Sequence, residues 1–212
     1  MNEYSYPQSM GRIILLAMEE VLGREGTRSI LRLASLASFI DQSGSFSDRN
    51  PTARSDITFS FGMLSRLIES LEQAYGPQGG RGTALRVGRA CFQYGLREYG
   101  LQLGVTELAY RLLPLPMKLR VGARSFADLF NKQTDQRVRV EDNDGKLFWR
   151  IERCPVCWGR HTNEPVCHLA VGLLQESLYW ISGGKLFNVE ETDCIARGDS
   201  ACTILIDQTP IF

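Results

Sequence analysis

The chain has 212 residues, 43% of them hydrophobic and 23% charged, enough for a substantial core in one or two domains. Lys plus Arg and Asp plus Glu number 24 each. That balance argues against a protein whose main task is to grip nucleic acid, because phosphate binding rests on accumulated positive charge. The longest unbroken apolar run, residues 13–18, falls far short of the roughly 20 residues a membrane span needs. The opening MNEYSYPQS also lacks the basic start and apolar stretch of a secretion signal. The expectation is a soluble, cytoplasmic protein with no nucleic-acid partner and no membrane span.

In chain order, residues 12–22 place Ile13, Ile14, Ala17, Met18, Val21 and Leu22 at helical spacing, and Gly23 ends the run. Thr27 can cap a second helix. Residues 41–54 are polar with Gly and Pro and read as a loop. Ser55 or Asp56 opens a third helix that runs to Tyr75, and residues 76–82, GPQGGRG, read as a glycine-rich turn. A fourth helix spans about 83–101, a short one lies between Gly104 and Pro114, and another covers 117–132. Residues 137–140 and 146–152 alternate polar and apolar, as strands do, around a hairpin turn at Asn143-Asp144-Gly145. A helix over 166–181 and strands over 186–191 and 202–207 complete the pattern.

The order predicts an α+β fold. A helical N-terminal part, 12–133, packs on a small antiparallel sheet in a strand-helix-strand part, 136–207, and the whole is read as one domain over 1–212. Charge is uneven along it. Residues 1–79 carry a net −2, residues 80–139 a net +7 and residues 140–212 a net −5. The basic middle either faces an anionic partner or packs against the acidic end.

Cysteine usage is the most informative feature. Five of six cysteines, Cys154, Cys157, Cys167, Cys194 and Cys202, fall in the last 59 residues, and only Cys91 stands apart. Without an export signal, such clustering favours metal or redox chemistry over disulfides. Cys154 and Cys157 form a C-x-x-C turn, and Cys167 heads the long helix. Glu191 and Cys194 lie three apart at a strand end, and Cys202 follows an Arg-Gly-Asp turn. Zn²⁺ takes four N, S or O donors in a tetrahedron, and a closed, cysteine-rich set is structural. His161 and His168, beside the cluster, are possible substitute ligands.

The string Glu191-x-x-Cys194-Ile-Ala-Arg-Gly198-Asp199-x-x-Cys202, with Cys167-x4-Gly172 upstream and Gly183-Gly184 closing the helix, resembles the signature of the 4-vinyl reductase-like domain family. That family includes hydrocarbon-binding proteins, proteins of (bacterio)chlorophyll biosynthesis and the sensor domains of phenol- and xylene-responsive activators. Its fold is shared with TRAPP small subunits. The resemblance covers residues 154–207. It implies a zinc site of Cys167, Glu191, Cys194 and Cys202, to which this chain adds Cys154 and Cys157, so that an all-cysteine set competes with the carboxylate. An iron–sulfur cluster, which also takes cysteine thiolates, is the alternative cofactor.

The resemblance further implies a homodimer and an apolar cavity between helices and sheet. Phe61, Leu64, Phe92, Tyr94, Tyr99 and Trp149 are the candidate lining, and Trp149 resembles the ligand-contacting tryptophan of the phenol sensors. Arg81, Arg86, Arg89 and Arg97 form a basic helix side that could meet an anionic group on a tetrapyrrole or lipid. No G-x-S-x-G, H-E-x-x-H, P-loop or G-x-G-x-x-G string occurs. The function expected is therefore binding of a small hydrophobic molecule by a zinc-stabilised carrier or sensor. A vinyl reductase or an accessory of pigment biosynthesis is the alternative, and a tethering-type interaction protein is a further one.

Overall fold

The first helix, α1 (Gln8–Leu33), joins the two segments expected on either side of Gly23. Gly23 breaks it, with φ 70° and ψ 169°, a backbone that glycine adopts without strain. Thr27 lies inside the second segment, where its hydroxyl donates to the Gly23 carbonyl. The structure, a computed structural model, describes residues 4–40, 59–105 and 108–211. The expected loop at 41–54 and the helix start at Ser55 or Asp56 lie outside the described residues.

Helix α2 (Phe61–Leu103) is capped by Ser60, whose hydroxyl accepts from the Met63 amide. Here the glycine-rich turn contracts to one residue. Gly76 takes φ 72°, and Pro77 begins the resumed helix, where its missing N–H costs nothing. Gly79, Gly80 and Gly82 are helical. At Gly80 a Cβ would lie 2.6 Å from the Glu72 Cα, so that glycine serves close packing across the kink. The short α3 (Leu108–Arg111) and α4 (Leu115–Gln133) follow. Helix α4 starts two residues earlier than expected because Pro116 fits its first turn.

Strands β3 (Arg137–Asn143) and β4 (Lys146–Arg153) form the expected hairpin. Asp144 and Gly145 both take positive φ, 49° and 76°, as a tight two-residue hairpin turn requires. Helix α5 (His168–Ser182) ends at the left-handed Gly183. Strands β5 (Phe187–Asp193) and β6 (Cys202–Pro210) complete an antiparallel sheet of order β3-β4-β6-β5. The architecture is α+β, with a helical N-terminal part and this sheet in the C-terminal part. A two-residue pairing of Ser5–Tyr6 with Phe59–Ser60 ties the N-terminal segment to the start of α2.

Strand alternation sets what faces the helices. Leu147, Trp149 and Ile151 on β4 and Cys202, Ile204 and Ile206 on β6 are buried. On β5 the same alternation buries Phe187, Val189 and Glu191, placing a carboxylate in the core. Helix α5 lies against α2 at two glycines. A Cβ on Gly172 would sit 2.1 Å from the Leu85 carbonyl oxygen, and one on Gly88 2.1 Å from that of Leu169. Gly172→Ala should therefore lower Tm by several degrees, since overpacking costs about 1–3 kcal/mol and each kcal/mol shifts Tm by about 2–4 °C at this size. Helix propensity alone would raise Tm, so a rise in a melting curve would contradict the close crossing.

The basic middle and the acidic end pair within the chain. Arg120 of α4 meets Asp142 of β3, and Arg137 and Arg139 reach Glu152 across the hairpin. Among the described residues, no helix is long and apolar enough to cross a membrane.

Candidate metal centre and adjoining cavity

Five cysteines converge because four separate elements end at one point. Strand β4 ends at Arg153, and the turn Cys154-Pro155-Val156-Cys157 folds back over the sheet. Cys167 sits at the N-terminus of α5, where its carbonyl accepts from the Ala170 and Val171 amides. Cys194 follows β5, its amide donating to Asp199 Oδ2 at 2.9 Å, while Arg197 holds the same carboxylate. The Cys194 amide first, and then Arg197, hold the Asp199 carboxyl below its usual pKa. Cys202 opens β6 opposite Ile151. All five thiols are buried.

Their sulfurs are in contact. Cys154 and Cys167 Sγ lie 3.5 Å apart, Cys157 and Cys202 3.4 Å, and Cys167 and Cys202 3.6 Å. Cys194 Sγ lies 3.9 Å from Cys167 and 4.0 Å from Cys202. A tetrahedron with Zn–S of about 2.3 Å has edges of roughly 3.8 Å. The spacing therefore fits donors around a single small ion. Two quartets have all their donor atoms within 4.8 Å of one another: Cys154, Cys157, Cys167, Cys202, and Cys167, Glu191, Cys194, Cys202. All six expected ligands are thus brought together, and neither His161 nor His168 joins a quartet.

The electrostatics are those of crowded donors. Hydrogen bonding with Cys154 is the main cause that pushes the Cys157 thiol down and those of Cys167 and Cys202 up. Glu191 Oε2 accepts from the Cys167 amide at 2.7 Å. Burial, and then the neighbouring Cys194 charge, push its carboxyl up to about 9. Its other oxygen, Oε1, is buried with no hydrogen-bond partner among the described residues. Positive charge stands nearby. Burial, then Arg81 and Arg160, push His168 down to about 4. Arg160 is itself buried, and its Nη2 donates to Glu72 at 2.5 Å.

Against this cluster lies an apolar cavity of about 90 Å³ between α1, α2, α4, α5 and β4. Of the six expected lining residues, Leu64, Phe92, Tyr99 and Trp149 line it. Phe61 instead joins Tyr4, Tyr6 and Trp158 in a separate aromatic group. Tyr94 stands under the Arg97 guanidinium, 5.5 Å from ring centre to Cζ. Pro155 and Val156, inside the C-x-x-C turn, and Leu169 and Ala170, just past Cys167, form one wall. The cysteine loop is therefore also the cavity wall.

Sequence reasoning missed Tyr6, Met10, Gln136, Phe126 and Phe130, which line the cavity too. The last two, four apart on α4 with rings 5.6 Å apart, carried a readable helical signal. Tyr6 carried none, since its place depends on pairing with Phe59. Polar groups reach the cavity at two points. Gln136 Nε2 donates to the Tyr6 hydroxyl, and Tyr99 shares a hydrogen bond with Ser9. Of the four arginines of the basic helix side, Arg89 donates to Gln175, and Arg81 lines an open groove of about 980 Å³ that runs along the cluster to Glu191. None lines the cavity.

Comparison with known proteins bears on the same segment. The family model of the 4-vinyl reductase-like domain matches residues 147–208, the stretch holding β4, the cysteines, α5, β5 and β6. A Methanocaldococcus jannaschii protein, named uncharacterized protein MJ0745, is 29% identical over 86 residues, 40% of this chain and 47% of that one. The chain thus spans about half the length of that relative. An H-NOX protein from S. oneidensis, solved in the Fe(II)NO ligation state, superposes with TM-score 0.56 at 11% identity, covering 92% of this chain and 97% of that one. A structure from a study of heme distortion in the H-NOX family gives 0.56 at 13% identity, covering 96% and 95%. These likenesses describe the fold. Over residues 147–208, then, the chain carries a 4-vinyl reductase-like domain.

Proposed function

We propose that this protein binds a small, neutral, mainly apolar molecule in the cavity, as a sensor or carrier, and that zinc held by the cysteine cluster fixes the cavity wall. The observation that carries this reading is the shared segment: Pro155 and Val156 lie between two cluster cysteines and face the cavity. A metal on those thiolates would hold the C-x-x-C turn, the head of α5 and the last two strands as one unit, and ligation energy in such sites is folding energy. Zinc is favoured over an iron–sulfur cluster because thiols in van der Waals contact leave room for a bare ion, not for a core of irons and sulfides.

Size and polarity narrow the ligand. About 90 Å³ is below the roughly 150 Å³ of a dry cavity that accepts benzene, and below the roughly 300 Å³ where larger ligand pockets begin. This favours a one-ring molecule over a tetrapyrrole or a lipid tail. The Tyr6–Gln136 and Tyr99–Ser9 pairs could meet a single hydroxyl. Haem, suggested by the H-NOX likeness, does not fit these residues. The cavity is too small, its lining holds no histidine, and the one lining thiol, Cys91, is pushed up to about 12 by burial and then Glu20.

Gly95 supplies the test. It lines the cavity from α2, and an added Cβ would meet nothing within 4 Å. Gly95→Leu should abolish heat and Trp fluorescence changes on titrating phenol or toluene. It should also hold or raise Tm, because replacing a helical glycine gains about 0.5–1 kcal/mol. Unchanged binding of either probe in the variant, or no binding to the parent protein, would contradict the proposal.

A further inference from the structure

Six donors for one four-coordinate ion leave two unused, and the way they overlap is informative. The two quartets share two members, Cys167 and Cys202, and divide the other four, Cys154 with Cys157 and Glu191 with Cys194. We infer that the cluster holds two divalent metal ions bridged by the thiolates of Cys167 and Cys202, with Cys154 and Cys157 completing one tetrahedron and Glu191 and Cys194 the other. This rests on the metal-centre reading above and extends it from one ion to two.

Three observations support it. First, four-coordination at each ion uses every donor in the cluster once, or twice for the bridging pair, and leaves none over. Second, a single ion in the all-cysteine quartet would leave Glu191 Oε1 buried without a partner, and an unpaired buried carboxylate oxygen is costly. A second cation satisfies it, while Oε2 keeps the Cys167 amide. Third, the charge is balanced. Five thiolates and one carboxylate against two divalent ions leave a net −2, the same as one ion in four thiolates. The thiol protons leave to solvent on binding. Arg160 and Arg81 stand close enough to shift His168, next to Cys167, and offset the remaining negative charge. The groove that reaches Glu191 gives the second ion a route in.

The test is metal stoichiometry of the full chain, purified under reducing conditions and measured by elemental analysis against protein concentration. The expected result is two zinc ions per chain, falling to one in Glu191→Gln, with Cys91→Ala unchanged at two. Cadmium-113 spectra of the cadmium-loaded parent protein should show two resonances, a readout that stands even if Glu191→Gln fails to fold. One zinc and one cadmium resonance in the parent protein would overturn the two-ion inference and leave the single-ion reading standing. No metal at all would overturn both. Two zinc ions retained in Glu191→Gln would overturn the role assigned to Glu191.

Discussion

Cys202→Ser is expected to empty the metal centre and to cost more stability than any other single change in the chain. Cys202 is common to both quartets, fully buried, and opens β6 at the sheet's centre. Its sulfur also accepts from the Ile195 amide at 3.3 Å, so it holds the turn after Cys194 as well. Structural zinc contributes about 10–16 kcal/mol of apparent binding free energy in small zinc domains, comparable to the roughly 5–15 kcal/mol net stability of a folded domain. Metal content by elemental analysis should fall to background and Tm by more than about 10 °C. A strong chelator on the parent protein should give the same melting curve. Cys91→Ala is the control. Cys91 lies across the cavity from the cluster and in neither quartet, so metal content should not change. Full metal retention in Cys202→Ser would show that the centre lies elsewhere.

Trp149→Ala is expected to have the next largest effect, by a different route. Trp149 is buried on β4 opposite Ile204, with the Phe126 and Phe130 rings at 6.4 and 6.3 Å. Deleting a buried tryptophan costs about 3–5 kcal/mol, which at this size corresponds to roughly 6–20 °C in Tm. Metal content should be unchanged, because no cluster sulfur rests on the indole. The enlarged cavity should admit a two-ring probe such as naphthalene that the parent protein excludes. A small Tm change, or loss of metal, would contradict the placing of Trp149 as cavity wall rather than metal support.

Local chemistry was legible in the sequence where one rule decided the outcome. The Asn143-Asp144-Gly145 hairpin followed from turn preferences, and the strand alternation of 146–152 followed from burial on one face. The Gly76–Gly82 run was not legible in the same way. Glycine marks a break, a close approach or neither, and only the Glu72–Gly80 packing tells them apart. Convergence of the cysteines was readable from their clustering and their positions at element ends. The sharing of Cys167 and Cys202 between two quartets was not, since spacing carries no distances across a sheet. Cavity membership was least readable. Phe61 and Leu64 sit one turn apart on α2, yet only Leu64 reaches the cavity, and Tyr6 arrives there through a two-residue pairing that leaves no pattern in the chain.

A metal on the cysteine loop and a small ligand in the cavity belong, on this reading, to one site. Native mass spectrometry of the purified, reduced chain, before and after chelation, tests that link without intermediaries. Zinc-bound protein should retain added phenol or toluene, and both should be lost together when zinc is removed. Ligand retention by the metal-free chain, iron in place of zinc, or a metal-free chain as purified would contradict it.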